Sequence, residues 1–431
     1  MTASPPPLRL LHTSDWHLGQ ELHGLSREGE HRAFLEWLLA TLDTEQVDAL
    51  LITGDVFDSQ NPPVAAQALF YEFLARAKRA RPDLDVVVIG GNHDSAARLE
   101  APNALLRPLD VHVVGSLPKE PERLLVPLTD RSGRLRAVVA AIPFLRLADL
   151  PVPTPGEDVE DTLVWGVRTV HERVFAAARA RCAEFGGLPL IATGHCYMVG
   201  TALSELSERR ILGGNQHALP VDLFPADCTY VALGHLHKPQ AVGGRETVRY
   251  AGSPFPLSVT EKDYPHQAVL VEISAEGPAA VRALPIPRTV DYLRVPRTGA
   301  AAPEPVLAEL RALDVAEAPA RDLRPYLEVV VRLDRPSPSL RHEVEQALEG
   351  KPVRLCRLAV EYATPEAGGP AAAETPDLAG LHPEEVFERA WARLYPDEPP
   401  EETHLAAFRE LLESLDGDAP AASAPATEPV A

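Results

Sequence analysis

Acidic, amide and imidazole side chains occur together in five short motifs, and an apolar run directly precedes each motif. The densest motif is Gly91-Asn92-His93-Asp94, which follows the run at residues 86–89. The other motifs are Asp15-x-His17, Gly54-Asp55-x-x-Asp58, Gly194-His195 and Gly234-His235-x-His237. This mixture of ligand types is typical of sites for borderline divalent ions such as manganese. It differs from the thiolate ligands of soft metal ions and from the all-oxygen ligands of calcium. The motif series therefore predicts a metal site that is assembled from distant parts of the chain.

Taken singly, most of these motifs have a simpler structural explanation. An Asp-x-His pair often caps a turn, and Gly-Asp is ordinary turn sequence. A single histidine at the end of a strand is usually only hydrogen-bonded. The five motifs together carry more weight, because two divalent ions about 3.5–4 Å apart lower the pKa of a water to about 7 and clamp both reacting oxygens of a phosphoester. The series as a whole favours metal-dependent phosphoester hydrolysis.

The elements that must position these motifs are short strands. The runs before the motifs are too short for helices and are rich in Val, Ile and Leu, which is typical of buried strands. These runs are residues 8–11, 49–52, 86–89, 188–192 and 230–233. Open α/β sheets bind their ligands at the carboxyl ends of strands, so the polar motifs lie where such a sheet keeps its chemistry.

Helices alternate with strands in the first half of the chain, and β-like runs dominate afterwards. Apolar residues at helical spacing predict helices at residues 30–42, 62–80 and 162–183. Further β-like runs are residues 111–114, 123–126, 135–142, 248–250, 268–273 and 280–284. We therefore predict that residues 1–287 form one α/β (α+β) domain, in which two packed mixed β-sheets are flanked by helices.

A second, smaller unit is predicted at residues 288–362. Its pattern is β-α-β-α-β, with proline-rich turns between the elements. The predicted elements are residues 292–295, 304–313, 326–333, 340–348 and 353–362. The unit contains no cluster of metal-ligand residue types, so we expect it to bind or cover a substrate rather than to perform chemistry.

The last part of the chain changes composition. Residues 363–377 are rich in Ala, Gly and Pro and are expected to form a linker. Residues 378–415 contain two stretches of helical apolar periodicity, one around Trp391 and one around Phe408. These helices either dock back on the main body or bind a groove on a partner protein. Residues 416–431 have the composition of a disordered tail.

Composition limits the class of protein before any motif is considered. No apolar run is long enough to span a bilayer, and the polar, proline-rich start lacks the features of a signal peptide. We therefore expect a cytoplasmic protein without a membrane partner. The formal net charge of −21 weakens the case for nucleic-acid binding, because nucleic acids are themselves negatively charged. Residues 366–431 carry −12 of this charge, however, and leave −9 for the preceding chain. Four cysteines without CxxC spacing argue against a disulfide framework and against structural zinc.

The motif series resembles that of the calcineurin-like metallophosphoesterases. Ser14-Asp15-Trp16-His17-Leu18-Gly19 and Gly54-Asp55-Val56-Phe57-Asp58 are similar to the branch that contains DNA-end nucleases of bacteria, archaea and eukaryotes. The resemblance implies the metallophosphoesterase fold with a capping domain at residues 288–362. It also implies a ligand set for two cations. Asp15, His17, Asp55 and His237 would hold one cation, and Asn92, His195 and His235 would hold the other together with a bridging Asp55.

The same resemblance assigns catalytic roles beside the ligands. His93 would contact the scissile phosphate and assist the leaving oxygen, and Asp94 would orient His93. Asp58 lies where archaeal relatives carry a histidine, so a supporting hydrogen bond fits this carboxylate better than a direct catalytic part.

Partners and substrates are also implied by the resemblance. Family members use Mn²⁺, degrade double-stranded DNA ends and cut single strands or hairpins in DNA repair, recombination and replication. They form a homodimer that joins an SMC-like ATPase in a heterotetramer at the nucleoid. The helices around Trp391 and Phe408 would be the ATPase-docking element.

Two other functions compete with the nuclease. A phosphoesterase of the same fold could act on a small-molecule phosphodiester, and a DNA-end scaffold could retain the fold without catalysis. Protein phosphatases of this superfamily carry Arg-Gly after the second aspartate of the Gly-Asp motif, whereas Ser59-Gln60 follows Asp58 here. All the positions that would bind metal or act on phosphate carry chemically competent residues, which places the silent scaffold last.

Overall fold

A computed structural model describes the chain in several ranges. These are residues 6–154, 161–202, 218–274, 277–318 and 320–362, together with Phe387, Trp391, Pro400, His404, Leu405 and Phe408. The chain divides into one compact unit at Met1–Ala363 and a second at Thr364–Ala431. The predicted linker at residues 363–377 and the predicted tail at residues 416–431 lie outside the described residues.

Strands and helices alternate at the start of the first unit, and strands dominate between α5 and α6. Its strands are β1 (Leu8–Thr13), β2 (Glu21–Leu22), β3 (Leu25–Ser26), β4 (Ala49–Thr53), β5 (Asp85–Ile89), β6 (Val111–Val114), β7 (Leu125–Thr129), β8 (Leu135–Ala140), β9 (Leu190–His195), β10 (Cys228–Gly234), β11 (Gln240–Val242), β12 (Arg245–Tyr250), β13 (Gln267–Ile273), β14 (Ala280–Pro285), β15 (Tyr292–Val295), β16 (Tyr326–Leu333) and β17 (Arg354–Tyr362). Its helices are α1 (Glu28–Thr44), α2 (Val64–Ala80), α3 (Ala96–Glu100), α4 (Asn103–Leu106), α5 (Thr162–Glu184), α6 (Pro303–Ala312) and α7 (Leu340–Ala347).

Two six-stranded mixed sheets form the core of residues 6–287. Sheet I has the order β14-β13-β1-β4-β5-β6, and sheet II has the order β11-β12-β10-β9-β8-β7. Strands β1, β4, β5 and β6 of sheet I are parallel, as are β8, β9, β10 and β12 of sheet II. Parallel strands need crossover connections, which α1, α2 and α5 help to provide. This arrangement confirms the predicted fold class.

Alternation along the strands of sheet I creates the layers. Leu10 and Leu51 face the core between the two sheets, whereas Leu11 and Leu50 face α1 and α2 on the other side. Because both faces of β1, β4 and β5 are covered, nearly all of their residues are buried and most of them are apolar, as expected for parallel strands buried on both faces. Helix α5 packs on sheet II, and its first turn is capped by Asp161, whose carboxylate accepts hydrogen bonds from the Leu163 and Val164 amides.

The cap, residues 288–362, has the predicted β-α-β-α-β order. Its three strands form a parallel sheet in the order β15-β16-β17, and α6 and α7 pack on its apolar face. The boundaries assigned to the separate domains stay predictions, because the cap and the core pack into one compact unit.

Arg27 joins the cap to the core. Its guanidinium is fully buried, donates two hydrogen bonds of 2.9 Å to Glu30 and a third, of 3.0 Å, to the Tyr292 hydroxyl of the cap. Tyr326 of the cap donates to Glu30 over 2.7 Å. The Arg27 guanidinium also lies 4.7 Å from the centre of the Phe255 ring. We call this group of residues the cap junction.

The second unit contributes a small aromatic cluster. Phe387, Trp391, His404 and Phe408 are helical, and the rings of Phe387 and Phe408 stack with centroids 4.5 Å apart. The ring centroids of Trp391 and His404 are 4.4 Å apart. Within the described part of the chain, no helix has the length and apolar character that a bilayer crossing requires.

Some local predictions are wrong. The run at residues 123–126 is divided between the 3₁₀ turn Pro121–Leu124 and strand β7, because Pro121 favours a helical start. The short hairpin β2–β3 and strand β11 lack a period long enough to be recognised.

Candidate metal centre

All five polar motifs lie at the carboxyl ends of central strands. In sheet I, Asp15 follows β1, Asp55 follows β4 and Asn92 follows β5. In sheet II, His195 is the last residue of β9 and His235 follows β10. Both sheets therefore contribute predicted ligands to one edge of the sandwich, where the sequence predicted a metal site.

One group of ligand atoms centres on Asp15. A carboxylate oxygen of Asp15 and ring nitrogens of His17 and His237 lie within 4.8 Å of one another, and all three residues are buried. The Asp15 carboxylate also accepts a hydrogen bond of 3.0 Å from the His235 amide, which fixes its orientation. One carboxylate and two imidazoles at this spacing can hold one divalent cation.

A second group lies beside the first and involves Asp55. Its Oδ2 atom lies 3.3 Å from Nε2 of His195 and 3.6 Å from Nε2 of His17. The Asn92 Oδ1 atom lies 2.9 Å from Nε2 of His195 and 3.1 Å from Nδ1 of His235. Asp55 thus lies between residues of the two groups, as a bridging carboxylate must, although the assignment of ligands to individual ions stays a prediction.

Protein groups on the side away from the site orient the His17 and His195 rings. Nδ1 of His17 lies 3.2 Å from the Asp58 carboxylate, and Nδ1 of His195 lies 2.9 Å from the Thr53 carbonyl. Each ring therefore turns Nε2 towards the site, which is how protein partners commonly fix the tautomer of a metal-binding histidine. Nε2 of His17 is buried without a hydrogen-bond partner among the described residues. Because buried polar atoms are normally paired, this donor set fits a bound cation.

The electrostatics of the site also favour a cation. Burial alone would raise the pKa of Asp55, but the His195 and His17 imidazoles hold that pKa well below its usual range. Burial opposes protonation of His195, yet Asp55 raises its pKa to about 9. Burial, together with His195, lowers the pKa of His235 to about 3. The protein thus stabilises a positive charge beside Asp55, and a divalent cation would supply that charge.

Several ligand residues have an unusual backbone conformation. Among the described non-glycine residues with positive φ are Asp15 at 53°, His17 at 45°, Asp55 at 48° and His235 at 102°. Such conformations cost about 1–3 kcal/mol each and concentrate at functional sites. Position 91 requires glycine because the two ligand loops approach each other closely there, and a Cβ atom would overlap the Asp55 carboxylate. The folded structure therefore holds these loops in strained positions that bring the ligands together.

His93 and its neighbours make hydrogen bonds that the sequence did not indicate. Nδ1 of His93 lies 2.7 Å from the Asp58 carbonyl, so a backbone group of Asp58 orients the ring. The Asp94 carboxylate instead accepts hydrogen bonds from the Val56, Phe57 and Gly91 amides. The role of Asp94 in orienting His93 therefore stays a prediction, with these backbone hydrogen bonds as the contacts that the Asp94 carboxylate makes. Asp94 joins two ligand loops through these bonds. Burial and the nearby Asp55 charge raise the pKa of Asp94 to about 6, although the three hydrogen bonds act to lower that pKa.

The sequence did not reveal Glu261, a carboxylate that contacts a predicted ligand. The buried Glu261 carboxylate lies 2.8 Å from Nδ1 of His237. Glu261 belongs to Ser258-Val259-Thr260-Glu261, whose spacing is that of an ordinary helix capping box. No signal in this segment points to a metal site, because the contact with His237 exists only in the folded chain.

Comparisons with known proteins agree with this geometry. The family model described as calcineurin-like phosphoesterase matches residues 8–239, and the model described as type 5 capsule protein repressor C-terminal domain matches residues 291–395. The chain is 47% identical over 391 residues to the SbcD subunit of nuclease SbcCD from Rhodobacter capsulatus, covering 89% of this chain and 94% of that one. It is 34% identical over 417 residues to the Escherichia coli K12 protein of the same name, covering 95% and 99%. With the Bacillus subtilis protein of that name, identity is 37% over 269 residues, covering 62% and 66%.

Two packed mixed sheets with Asp, Asn and His ligands at their strand ends define a calcineurin-like metallophosphoesterase. At this level of identity and coverage, the chain belongs to the SbcD family of SbcCD nuclease subunits.

Proposed function

We propose that this chain is a DNA nuclease subunit that hydrolyses phosphodiester bonds with two divalent cations, with Mn²⁺ as the expected metal. The supporting observation is the convergence of seven ligand residues from five strand ends of both sheets. These residues are Asp15, His17, Asp55, Asn92, His195, His235 and His237. Bound cations supply neutralisation of the phosphate charge and a lowered pKa of water.

His93 performs the proton transfer in this proposal. Its Nδ1 is committed to the Asp58 carbonyl, so Nε2 is the ring nitrogen that meets the substrate. Water provides the oxygen that bonds to phosphorus, the bond from phosphorus to the leaving oxygen breaks, and the protonated His93 gives its proton to that oxygen. The proton that the water loses passes to solvent, and His93 takes up a new proton from solvent before the next turnover. Asp94 keeps the His93 loop and the Asp55 loop together through its three backbone hydrogen bonds.

The proposed substrates are double-stranded DNA ends, for exonuclease action, and single strands or hairpins, for endonuclease action, in repair, recombination and replication at the nucleoid. The test is incubation of the full chain with Mn²⁺ and end-labelled linear duplex, beside a generic phosphodiester, with and without the cognate SMC-like ATPase. We expect cleavage of the duplex, and stronger cleavage with the ATPase and ATP. If only the small ester is cut under both conditions, the chain is a phosphoesterase of another substrate class.

The variant His93→Asn separates the proposed acid from the ligands. Removal of a proton-transfer group typically lowers the rate about 10²- to 10⁴-fold, while calorimetry should show unchanged Mn²⁺ binding. Loss of both cations in this variant would contradict the role of His93. Arg32→Ala is a suitable control, because Arg32 forms only an exposed ion pair with Glu28 and should leave both measurements unchanged.

The second unit is the proposed docking element for the SMC-like ATPase, in a heterotetramer built on a homodimer of this chain. The stacking of the Phe387 and Phe408 rings, one from each of the two predicted helical stretches, supports this proposal. Trp391→Ala should abolish co-purification with the ATPase while leaving hydrolysis of the small ester intact. Retention of the ATPase by this variant would favour docking through another surface.

A further inference from the structure

Glu261 is a fully buried carboxylate outside the ligand set. It ends the 3₁₀ turn Val259–Glu261, which lies between β12 and β13, and its exposed fraction is 0%. Its two oxygens have separate partners, because Oε1 lies 2.8 Å from Nδ1 of His237 and Oε2 accepts a hydrogen bond of 2.8 Å from the Leu257 amide. A carboxylate is costly to bury, so this residue needs a role that its partners explain.

The contact determines which nitrogen of His237 faces the site. A carboxylate at Nδ1 stabilises the tautomer that carries its proton there, and Nε2 is then the nitrogen with a lone pair. His237 and Asp15 belong to the same group of ligand atoms within 4.8 Å. The negative charge of Glu261 also makes the ring a stronger donor to a cation. Glu261 therefore bears on the cation position formed by Asp15, His17 and His237.

The other histidines of the site are supported differently. His195 is oriented by a neutral carbonyl, that of Thr53, and His17 by Asp58, whose side chain is 36% exposed. Solvent weakens the influence of a partly exposed carboxylate, whereas a buried carboxylate acts at full strength. Among these supports, Glu261 is the one with the largest expected effect on its ligand.

A single peptide unit connects Glu261 to the cap. The amide of Leu257 donates to Glu261, and the carbonyl of the same peptide unit, that of Pro256, accepts a hydrogen bond of 2.9 Å from the Tyr292 hydroxyl. Tyr292 is the first residue of cap strand β15 and also accepts a hydrogen bond from Arg27 in the cap junction. Hydrogen bonds at both ends of one peptide group strengthen each other.

We propose that Glu261 is a positioning residue for His237, and that the cap holds Glu261 in place through Tyr292 and the peptide unit between Pro256 and Leu257. This inference rests on the proposed metal centre. Under this proposal, the packing of the cap on the core affects the metal affinity of the position formed by Asp15, His17 and His237. The cap then contributes to the reaction without supplying a ligand.

The test is calorimetric titration of the metal-free full chain with Mn²⁺. Glu261→Gln keeps the size of the side chain but leaves one acceptor oxygen for two donors, and we expect Mn²⁺ affinity to fall about 10- to 100-fold at one of two positions. Tyr292→Phe removes only the hydroxyl and should lower the affinity less than Glu261→Gln. The matched control is Glu100→Gln, since the Glu100 carboxylate also accepts backbone hydrogen bonds, from Gly115 and Ser116, but touches no ligand. We expect no change there.

A double-mutant cycle separates positioning from a merely structural effect. If Glu261 acts through His237, Glu261→Gln should have no further effect on Mn²⁺ affinity in a His237→Ala background. An equal fall in both backgrounds, or unchanged affinity in both Glu261→Gln and Tyr292→Phe, would overturn the inference. Thermal unfolding of each metal-free variant identifies any that fails to fold, and Tyr292→Phe then decides. If the wild-type chain binds no Mn²⁺, the proposed function fails instead.

Discussion

The metal centre and the cap junction both bury charged side chains, but they balance those charges differently. At the cap junction, Arg27 and Glu30 form a two-point ion pair, and both make further hydrogen bonds, with the Tyr292 and Tyr326 hydroxyls and with the Gln20 amide oxygen. At the metal centre, Asp15 and Asp55 face imidazoles that are neutral in their usual ligand form. One group balances its charges within the chain, whereas the other has the donor set that a cation would complete.

This difference distinguishes a structural charge cluster from a functional one. The residues of the cap junction have ordinary backbone conformations, whereas Asp15, His17, Asp55 and His235 have positive φ. Strain and buried charge reduce stability, so they persist where function requires them. We therefore expect substitutions at the two places to have opposite consequences for activity and for folding.

The largest effect is expected for Asp55→Asn. This change removes the charge that lies between the two ligand groups, so Mn²⁺ binding and DNA cleavage should both be lost, beyond the about 10²- to 10⁴-fold that one proton-transfer group contributes. The asparagine keeps an acceptor for the His93 amide, which donates to Asp55 over 2.9 Å. The unfolding midpoint of the metal-free protein should therefore change little. A cleavage rate within tenfold of wild type would contradict a functional role for the buried charge of Asp55.

The opposite result is expected for Arg27→Met. The methionine retains an apolar chain but leaves the Glu30 charge buried without its partner, which should lower the free energy of unfolding by about 3–5 kcal/mol. Urea unfolding in a chelating buffer measures this change. Arg27→Met combined with Glu30→Leu should recover much of the loss, because it removes the unpaired charge. Arg32→Ala, at an exposed pair, should cost less than about 1 kcal/mol, and an equal cost at both arginines would contradict the structural role of the junction.

His12 gives a smaller effect that depends on pH. It lies between the sheets, 2.9 Å from the Tyr230 hydroxyl and 3.0 Å from that of Thr53, and burial lowers its pKa to about 3. Between pH 6.5 and 3 the unfolded chain binds a proton at this residue and the folded chain does not, so stability falls as the pH is lowered.

The measurement compares wild type with His12→Gln by urea unfolding of the metal-free protein at about pH 7.5 and about pH 5.0. Wild type should lose more stability than the variant between these values, by up to about 1.4 kcal/mol for each pH unit below about 6.5. Equal losses would show that His12 is protonated in the folded protein.

Local sequence was sufficient to predict the framework of the site. Apolar runs such as residues 86–89 predict buried strands, and the polar motif after each run predicts a ligand at the strand end. The structure brings Asp15, Asp55, Asn92, His195 and His235 to one edge of the sandwich for this reason. Parallel strands share a carboxyl edge, so convergence follows once the strands are identified.

The support behind the ligands could not be predicted from local patterns. Glu261 meets His237 across 24 residues of chain, and Asp94 meets the Val56 amide across 38. Such contacts depend on how loops pack, and neither spacing nor composition encodes them. Adjacency to His93 in sequence did not indicate that the Asp94 carboxylate accepts hydrogen bonds from the Val56 and Phe57 amides. Arg27 was missed because an arginine before a helix is ordinarily an exposed residue.

The division of the ligands between two sheets affects how the centre forms during folding. Of the proposed ligands, Asp15, His17, Asp55 and Asn92 follow strands of sheet I, whereas His195, His235 and His237 lie at strand ends of sheet II. Neither sheet alone therefore holds the complete proposed ligand set. Metal binding should consequently measure whether the two sheets have packed together. In a refolding experiment it should develop only after the far-ultraviolet signal of the separate sheets, and a fragment that stops before β9 should remain without a bimetallic centre.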